Sequence, residues 1–129
     1  MIPLQNPATA AEYFGRKVAF TTGPVEVSHF IEAGEQMVLV DVRAAEDYRQ
    51  GHLPGAINVP KEKWTTAPGL RPNVMHILYC YTSTCHLAAQ AAHQFSLKGF
   101  QVMEMDGGFE AWKENDLKVE KGDPLKHVA

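Results

Sequence analysis

The chain has 129 residues and a formal net charge of −3, with hydrophobic residues at 45% and charged residues at 21%. That length suits one ordinary core and is short for two, and neither the charge nor any Lys/Arg cluster points to a nucleic-acid partner. No apolar run nears the ~18 residues of a membrane span, the first residues lack a secretory pattern, and two cysteines are too few for a disulfide scaffold, so a cytoplasmic setting is expected.

In chain order, Asn6-Pro7 is a helix N-cap followed by proline at the first helical position, which predicts a short helix to about Phe14. Residues 18–21 read as a short strand. Gly23-Pro24 opens a second helix, with Val27, Phe30 and Ile31 at helical spacing and Gly34 as its stop. Residues 37–42 are an apolar run broken by Asp41, with the length of a buried strand. One or two helical turns follow over 44–50, ended by Gly51. Pro54-Gly55 is a turn, 56–59 a short strand, and 61–71 a helical turn plus loop around Trp64. Met75–Tyr79 is the next strand. The best helix spans 86–98, where Leu87, Ala88, Ala91, Ala92 and Phe95 share a face and the alanines permit close approach to a sheet. Gly99 ends it. Gln101–Met105 is a further strand, and Gly107-Gly108 leads into a short helix over 109–114. The polar residues 115–129 either wrap the surface or fray. The alternation implies a parallel sheet covered on both faces, with its ligand site at the carboxyl ends of the strands.

Cys80 lies at such an end. An apolar run stops at Tyr79, and Cys80-Tyr81-Thr82-Ser83-Thr84-Cys85 leads into the helix starting near His86. A loop of this kind aims backbone N–H groups at one point before a helix N-terminus, which favours an anion. The expectation is a Cys80 thiolate with a pKa below the ~8.5 of a free cysteine, acting as a nucleophile. The other reading is a packed core cysteine. The N–H groups of residues 81–85 would form the cradle, with the hydroxyls of Thr82, Ser83 and Thr84 as further donors. Cys85 either starts the helix or resolves an oxidised Cys80. His86 sits where the helix dipole disfavours a cation, which leaves it a neutral partner of the loop or a bystander. The spacing of Cys80, Cys85 and His86 is too cramped for a metal, and no metal or organic cofactor is expected.

Several stretches together resemble the rhodanese family of sulfurtransferases. Leu39-Val40-Asp41-Val42-Arg43 is similar to its strand ending in D-x-R. Residues 48–60, Y-R-Q-G-H-L-P-G-A-I-N-V-P, resemble its Y-x-x-G-H-I/L-P-G-A-I/V-x-I/V-P signature. Tyr79-Cys80 resembles the strand end bearing the active-site cysteine, and Gly99-Phe100 and Asp106-Gly107-Gly108 through Trp112 resemble its G-F/Y and D/E-G-G-x-x-x-W segments. The likeness covers roughly residues 20 to 114. It implies a three-layer α/β/α domain with a five-stranded, mainly parallel sheet. The domain is expected to fill 1–129, with a core over about 18–114, an N-terminal extension over 1–17 and a C-terminal tail over 115–129. The activity implied is transfer of sulfane sulfur, held as a persulfide on Cys80, from a donor to a thiophilic acceptor, either a small molecule or a protein thiol. Asp41 and Arg43 are expected as a supporting ion pair.

The loop departs from a frequent family pattern, C-x-x-G-x-R-S. Ser83 stands at the glycine and Cys85 at the arginine. Either Ser83 takes a costly positive φ or the loop follows another path. Without the arginine, an oxyanion donor such as thiosulfate loses its cation. A phosphatase-type reading fails for the same reason. The alternative to an active transferase is a weakly active binding, regulatory or redox-sensing module built on Cys80 and Cys85.

Overall fold

A computed structural model of the chain describes residues 1–123. Two apolar strands form its centre, and their side chains alternate between two buried faces. β2 (Met37–Asp41) sends Val38 and Val40 to one face and Leu39 to the other. β4 (Met75–Tyr79) likewise divides Leu78 from Ile77 and Tyr79. Burial on both faces explains the near-continuous apolar runs. β2 and β4 pair in parallel from Met37 opposite Met75 to Asp41 opposite Tyr79. β5 (Gln101–Met105) pairs with β4, β1 (Thr21–Thr22) with β5, and β3 (Ile57–Asn58) with β2. The order is β1-β5-β4-β2-β3, and every pairing between these strands is parallel.

One face is covered by α4 (Leu87–Leu97), through Ala88, Ala91 and Phe95, together with Trp64 from the 61–71 segment. The other is covered by α2 (Pro24–Glu32), α3 (Ala45–Gln50) and α5 (Gly108–Glu114), which contribute Val27, Tyr48, Phe109 and Trp112. The chain is thus a three-layer α/β/α fold with the five-stranded parallel sheet expected of it.

The N-terminal segment differs from expectation. α1 runs over Pro7–Phe20, well past Phe14, and absorbs most of the strand predicted at 18–21; β1 keeps only Thr21–Thr22. Asn6 caps it, its side chain accepting from the Ala8 N–H at 2.9 Å. Gly15 costs a helix interior only about 1 kcal/mol, too little to end it. The C-terminal tail wraps. His52 and Glu120 exchange backbone hydrogen bonds at 2.8 and 2.9 Å, and the Trp112 indole donates to the Lys118 carbonyl at 2.8 Å. Residues 124–129 of the predicted tail lie outside the described residues.

Asp41, fully buried at the end of β2, has the partners its burial demands. Arg43 Nη2 reaches its Oδ2 at 2.7 Å, the Arg43 backbone N–H its Oδ1 at 2.9 Å, and the Tyr79 hydroxyl donates to Oδ2 at 2.7 Å. Arg43 also donates to the Gly51 carbonyl, and Tyr79 accepts from the Leu53 N–H at 3.1 Å. Removing one partner of a buried pair strands the other charge. Asp41→Ala should therefore lower the unfolding free energy in urea by about 3–5 kcal/mol.

His76 is buried in the next strand. Its Nε2 accepts from the Arg71 N–H at 3.0 Å, so its Nδ1 donates to the Gln101 carbonyl at 2.8 Å and the ring is neutral. Burial lowers its pKa below the ordinary 6.5; the Gln101 hydrogen bond opposes this and the Arg71 charge adds to it. The unfolded chain therefore takes the proton more readily. The contribution is complete above pH ~6.5 and lost as the pH falls below it. In urea titrations, His76→Gln should be less stable than the parent at pH 7, and the gap should narrow toward pH 5.

Candidate functional site

The β4 strand delivers Cys80 to the carboxyl edge of the sheet, on the α4 face, and the loop 80–86 crosses to the start of α4. The first turn of α5 grips this loop from below. The Phe109 N–H donates to the Cys80 carbonyl at 2.9 Å, and the Glu110 N–H to the Tyr81 carbonyl at 3.0 Å. Contact is so close that a Cβ on Gly108 would lie 2.7–2.8 Å from Tyr81 C, Cys80 O and Thr82 N. With φ at +63°, only glycine fits there without strain. Sideways, the Tyr81 hydroxyl donates to Asp47 Oδ2 and accepts from the Ala44 N–H at 3.2 Å. Arg43, held by Asp41, lies over the rings of Phe109 at 4.2 Å and Tyr81 at 5.7 Å. The expected ion pair is thus present, on the sheet face opposite Cys80, and reaches the loop through two aromatic rings.

Ser83 does not adopt a positive φ, so the loop takes the other path. The Cys85 N–H donates to the Thr82 carbonyl at 3.3 Å instead, closing a turn. The hydroxyls of Thr82 and Thr84 lie 3.3 Å apart and pair with one another, and Ser83 and Thr84 are exposed. His86 is the exposed residue preceding α4, and its side chain does not cap that helix.

The thiols reverse the expected order. Cys80 is only 2% exposed, and its Sγ lies 3.5 Å from the Cys85 carbonyl, to which it donates. Burial pushes its pKa up to about 11, helped by the contact with Cys85, while the N–H groups of Ala88 and Tyr81 pull the other way and lose. Cys85 is half-buried. Burial would raise its pKa too, but hydrogen bonding from Cys80 and from the N–H groups of Tyr81, Leu87 and Thr82 outweighs that and lowers it. The expectation of a Cys80 pKa below that of free cysteine is therefore overturned: desolvation exceeds the helix-terminus effect at this depth. Of the loop N–H groups expected to face Cys80, only that of Tyr81 acts on its sulfur, joined by Ala88 of α4, while those of Tyr81, Thr82 and Leu87 act on the Cys85 sulfur.

Asp47, Gly108 and Phe109 escaped notice as site residues. The glycine pair was legible as a turn, yet only the fold brings that turn under the cysteine loop. Beside it lies an open cleft of about 470 Å³ lined by Arg43, Asp47, Tyr81, Thr82, Glu110 and Lys113 among others. Alkylation followed across pH, with peptide mapping, should label Cys85 at lower pH than Cys80. Cys80 labelling should keep rising toward pH 11.

Residues 24–115 match the rhodanese-like domain family. The chain is 37% identical over 97 residues to the HTH-type transcriptional regulator Rv0324 of Mycobacterium tuberculosis, covering 74% of this chain and 42% of that protein. It is 32% identical over 76 residues to a tRNA sulfurtransferase of Desulfurococcus amylolyticus, covering 59% of this chain and 15% of that protein. It spans less than half the length of these two curated relatives. Among solved structures it is similar to the BH2092 protein of Bacillus halodurans, with a TM-score of 0.83 and 35% identity over 90% of this chain and 87% of that one. The fold, the cysteine at the end of β4 and these likenesses agree, and the chain belongs to the rhodanese-like domain family.

Proposed function

We propose that the chain is a sulfurtransferase that carries sulfane sulfur as a persulfide on Cys80. The observation that supports this most is the position of Cys80, at the end of a central strand, under a loop fixed by α5 and Tyr81, with the N–H groups of Ala88 and Tyr81 near its sulfur. In the first step Cys80 gives up its proton as the donor arrives, and the proton ends on the donor's departing thiolate. The Cys80 sulfur forms a bond to the donor's outer sulfur, and the donor's S–S bond breaks, its electron pair leaving on the departing thiolate. An acceptor thiolate then attacks the outer sulfur of the persulfide and Cys80 departs as a thiolate, which takes up a proton. N–H groups of the loop and of the first turn of α4 stabilise each sulfur anion. Asp41 and Arg43 hold the scaffold, and His86 has no chemical role. The loop from Cys80 to His86 carries no Lys or Arg, so a persulfide is a better donor than thiosulfate, and a small thiol or a protein thiol is the acceptor.

One contact favours a second reading. The Cys80 and Cys85 thiols interact directly, and the more acidic one is the more exposed. A Cys85 thiolate attacking a Cys80 persulfide would form the Cys80–Cys85 disulfide and expel hydrosulfide. A peroxide would oxidise the same pair, leaving water. The likeness to a protein named as a transcriptional regulator is in keeping with such a sensing role.

Intact mass spectrometry after exposure to a persulfide donor separates the two. The transferase reading expects an adduct of about +32 Da on Cys80, absent in Cys80→Ser, with loading in Cys85→Ala within a few-fold of the parent. Quantitative loss of two hydrogens after mild peroxide, reversed by a dithiol and with no persulfide retained, would favour the switch instead.

A further inference from the structure

Among the described residues, α1 is the only α-helix that buries none of its own residues. It is nevertheless amphipathic. Ala10, Phe14 and Val18 recur at i, i+4 and i+8, with Ala11 beside them, while Glu12 and Arg16 pair at 2.8 Å on the opposite side. Tyr13, Phe14 and Phe20 are each more than half exposed, and Val18 is 73% exposed. A 14-residue helix is marginal in water on propensity alone. Its apolar stripe calls for a surface to cover.

Its own domain does not supply one. The C-cap residue Thr21 is extended, with φ −131° and ψ 158°, and feeds straight into the edge strand β1. The helix therefore meets the sheet mainly at β1 and β5, near its own end. The sheet has a complementary gap. On the α4 face, α4 lies over β5 and β4 with Trp64 beside it, and a gap remains between the outer side of α4 and the end of α1 at the sheet edge. There a groove of about 440 Å³ is lined by Phe20, Ala89, Ala92, Val102, Met103 and Glu104, among others. Its α4 wall is made of small residues, and Leu97, 72% exposed, extends α4's apolar surface. Glu104 is half-buried; burial and the neighbouring Asp106 raise its pKa against the opposing pull of His86, so the groove carries an acidic group that a further cation would favour. Lys17 flanks the stripe next to Phe14 on α1.

We propose that two copies of this chain form a two-fold dimer in which the α1 helix of each lies in the α4–β5 groove of the other. Phe14 and Val18 seat against Ala89 and Ala92, and Lys17 approaches Glu104. Helix and groove are both present on every copy, so one symmetry operation satisfies both, which is the requirement of an isologous interface. The area fits as well. Three half-exposed aromatics offer about 100 Å² each, and Ile2, Leu4, Val18 and Leu97 add comparable amounts. The total is roughly 700–800 Å² per copy, close to the ~800 Å² per partner of a stable interface.

Sedimentation equilibrium of the full chain between about 1 and 100 μM should show a dimer. Val18→Asp on the helix and Ala89→Arg in the groove replace exposed residues, and circular dichroism should show both variants folded. Each should weaken the dimer at least ~100-fold. Mixing the two variants should restore it, because one junction is then unaltered and the other pairs Asp with Arg. A monomeric parent at 100 μM would overturn the proposal, as would a dimer indifferent to Ala89→Arg or a mixture that stays monomeric.

Discussion

A fully buried carboxylate dictates much of this molecule. Asp41 sits at the end of β2, and burying it is tolerable only if its oxygens are fully engaged. They take the Arg43 fork, the Arg43 N–H and the Tyr79 hydroxyl. Each partner then binds something further: Arg43 the Gly51 carbonyl, Tyr79 the Leu53 N–H. Asn58 closes the circle by donating to the carbonyls of Asp41 and Arg43, each at 3.0 Å. The ends of two central strands and the 51–58 segment are thereby locked together. Arg43 passes the constraint on through Phe109, whose own N–H holds the Cys80 carbonyl. A half-satisfied network of this kind is worse than an apolar core, so its members stand or fall together.

Two effects of opposite sign meet at the Cys80 sulfur. The helix start and nearby N–H groups favour a thiolate, and burial favours the thiol. At rest burial wins. A protonated, nearly inaccessible thiol is a poor target for stray electrophiles, because the thiolate is the reactive form. Hydrogen bonds favour ionisation of Cys85, the more exposed of the two thiols. Their proximity would make a disulfide the competitor of the proposed sulfur transfer.

How much of this was legible in the sequence depended on how local the cause was. Residues 37–42 and 75–79 announced themselves because strands buried on both faces are apolar throughout. The Gly-His-Leu-Pro-Gly segment and the glycine pair at 107–108 carried their turn chemistry in their residue types. Residues 18–21 were misassigned because a short apolar run has no period that separates strand from helix, and Gly15 was too weak a breaker to help. The thiol order could not be read at all. It depends on how deep Cys80 lies relative to Cys85, and depth is set by packing between elements far apart in the chain. Asp47 and Gly108 stayed hidden as site residues for the same reason: their contacts with the loop span 34 and about 27 residues of sequence.

α4 links the two ends of this argument. Its first turn holds the Ala88 and Leu87 N–H groups that act on the two sulfurs, and its outer side forms the wall of the groove at Ala89 and Ala92. One short helix thus serves the thiols from its N-terminus and meets solvent, or a partner, one residue further on. Each unit of pKa corresponds to about 1.4 kcal/mol, so modest changes in the reach of one N–H group shift the balance at Cys80 measurably. A helix packed into the groove would press α4 toward the sheet along the segment that carries those donors. Assembly and thiol reactivity would then be coupled through one element, whose small shift reaches both.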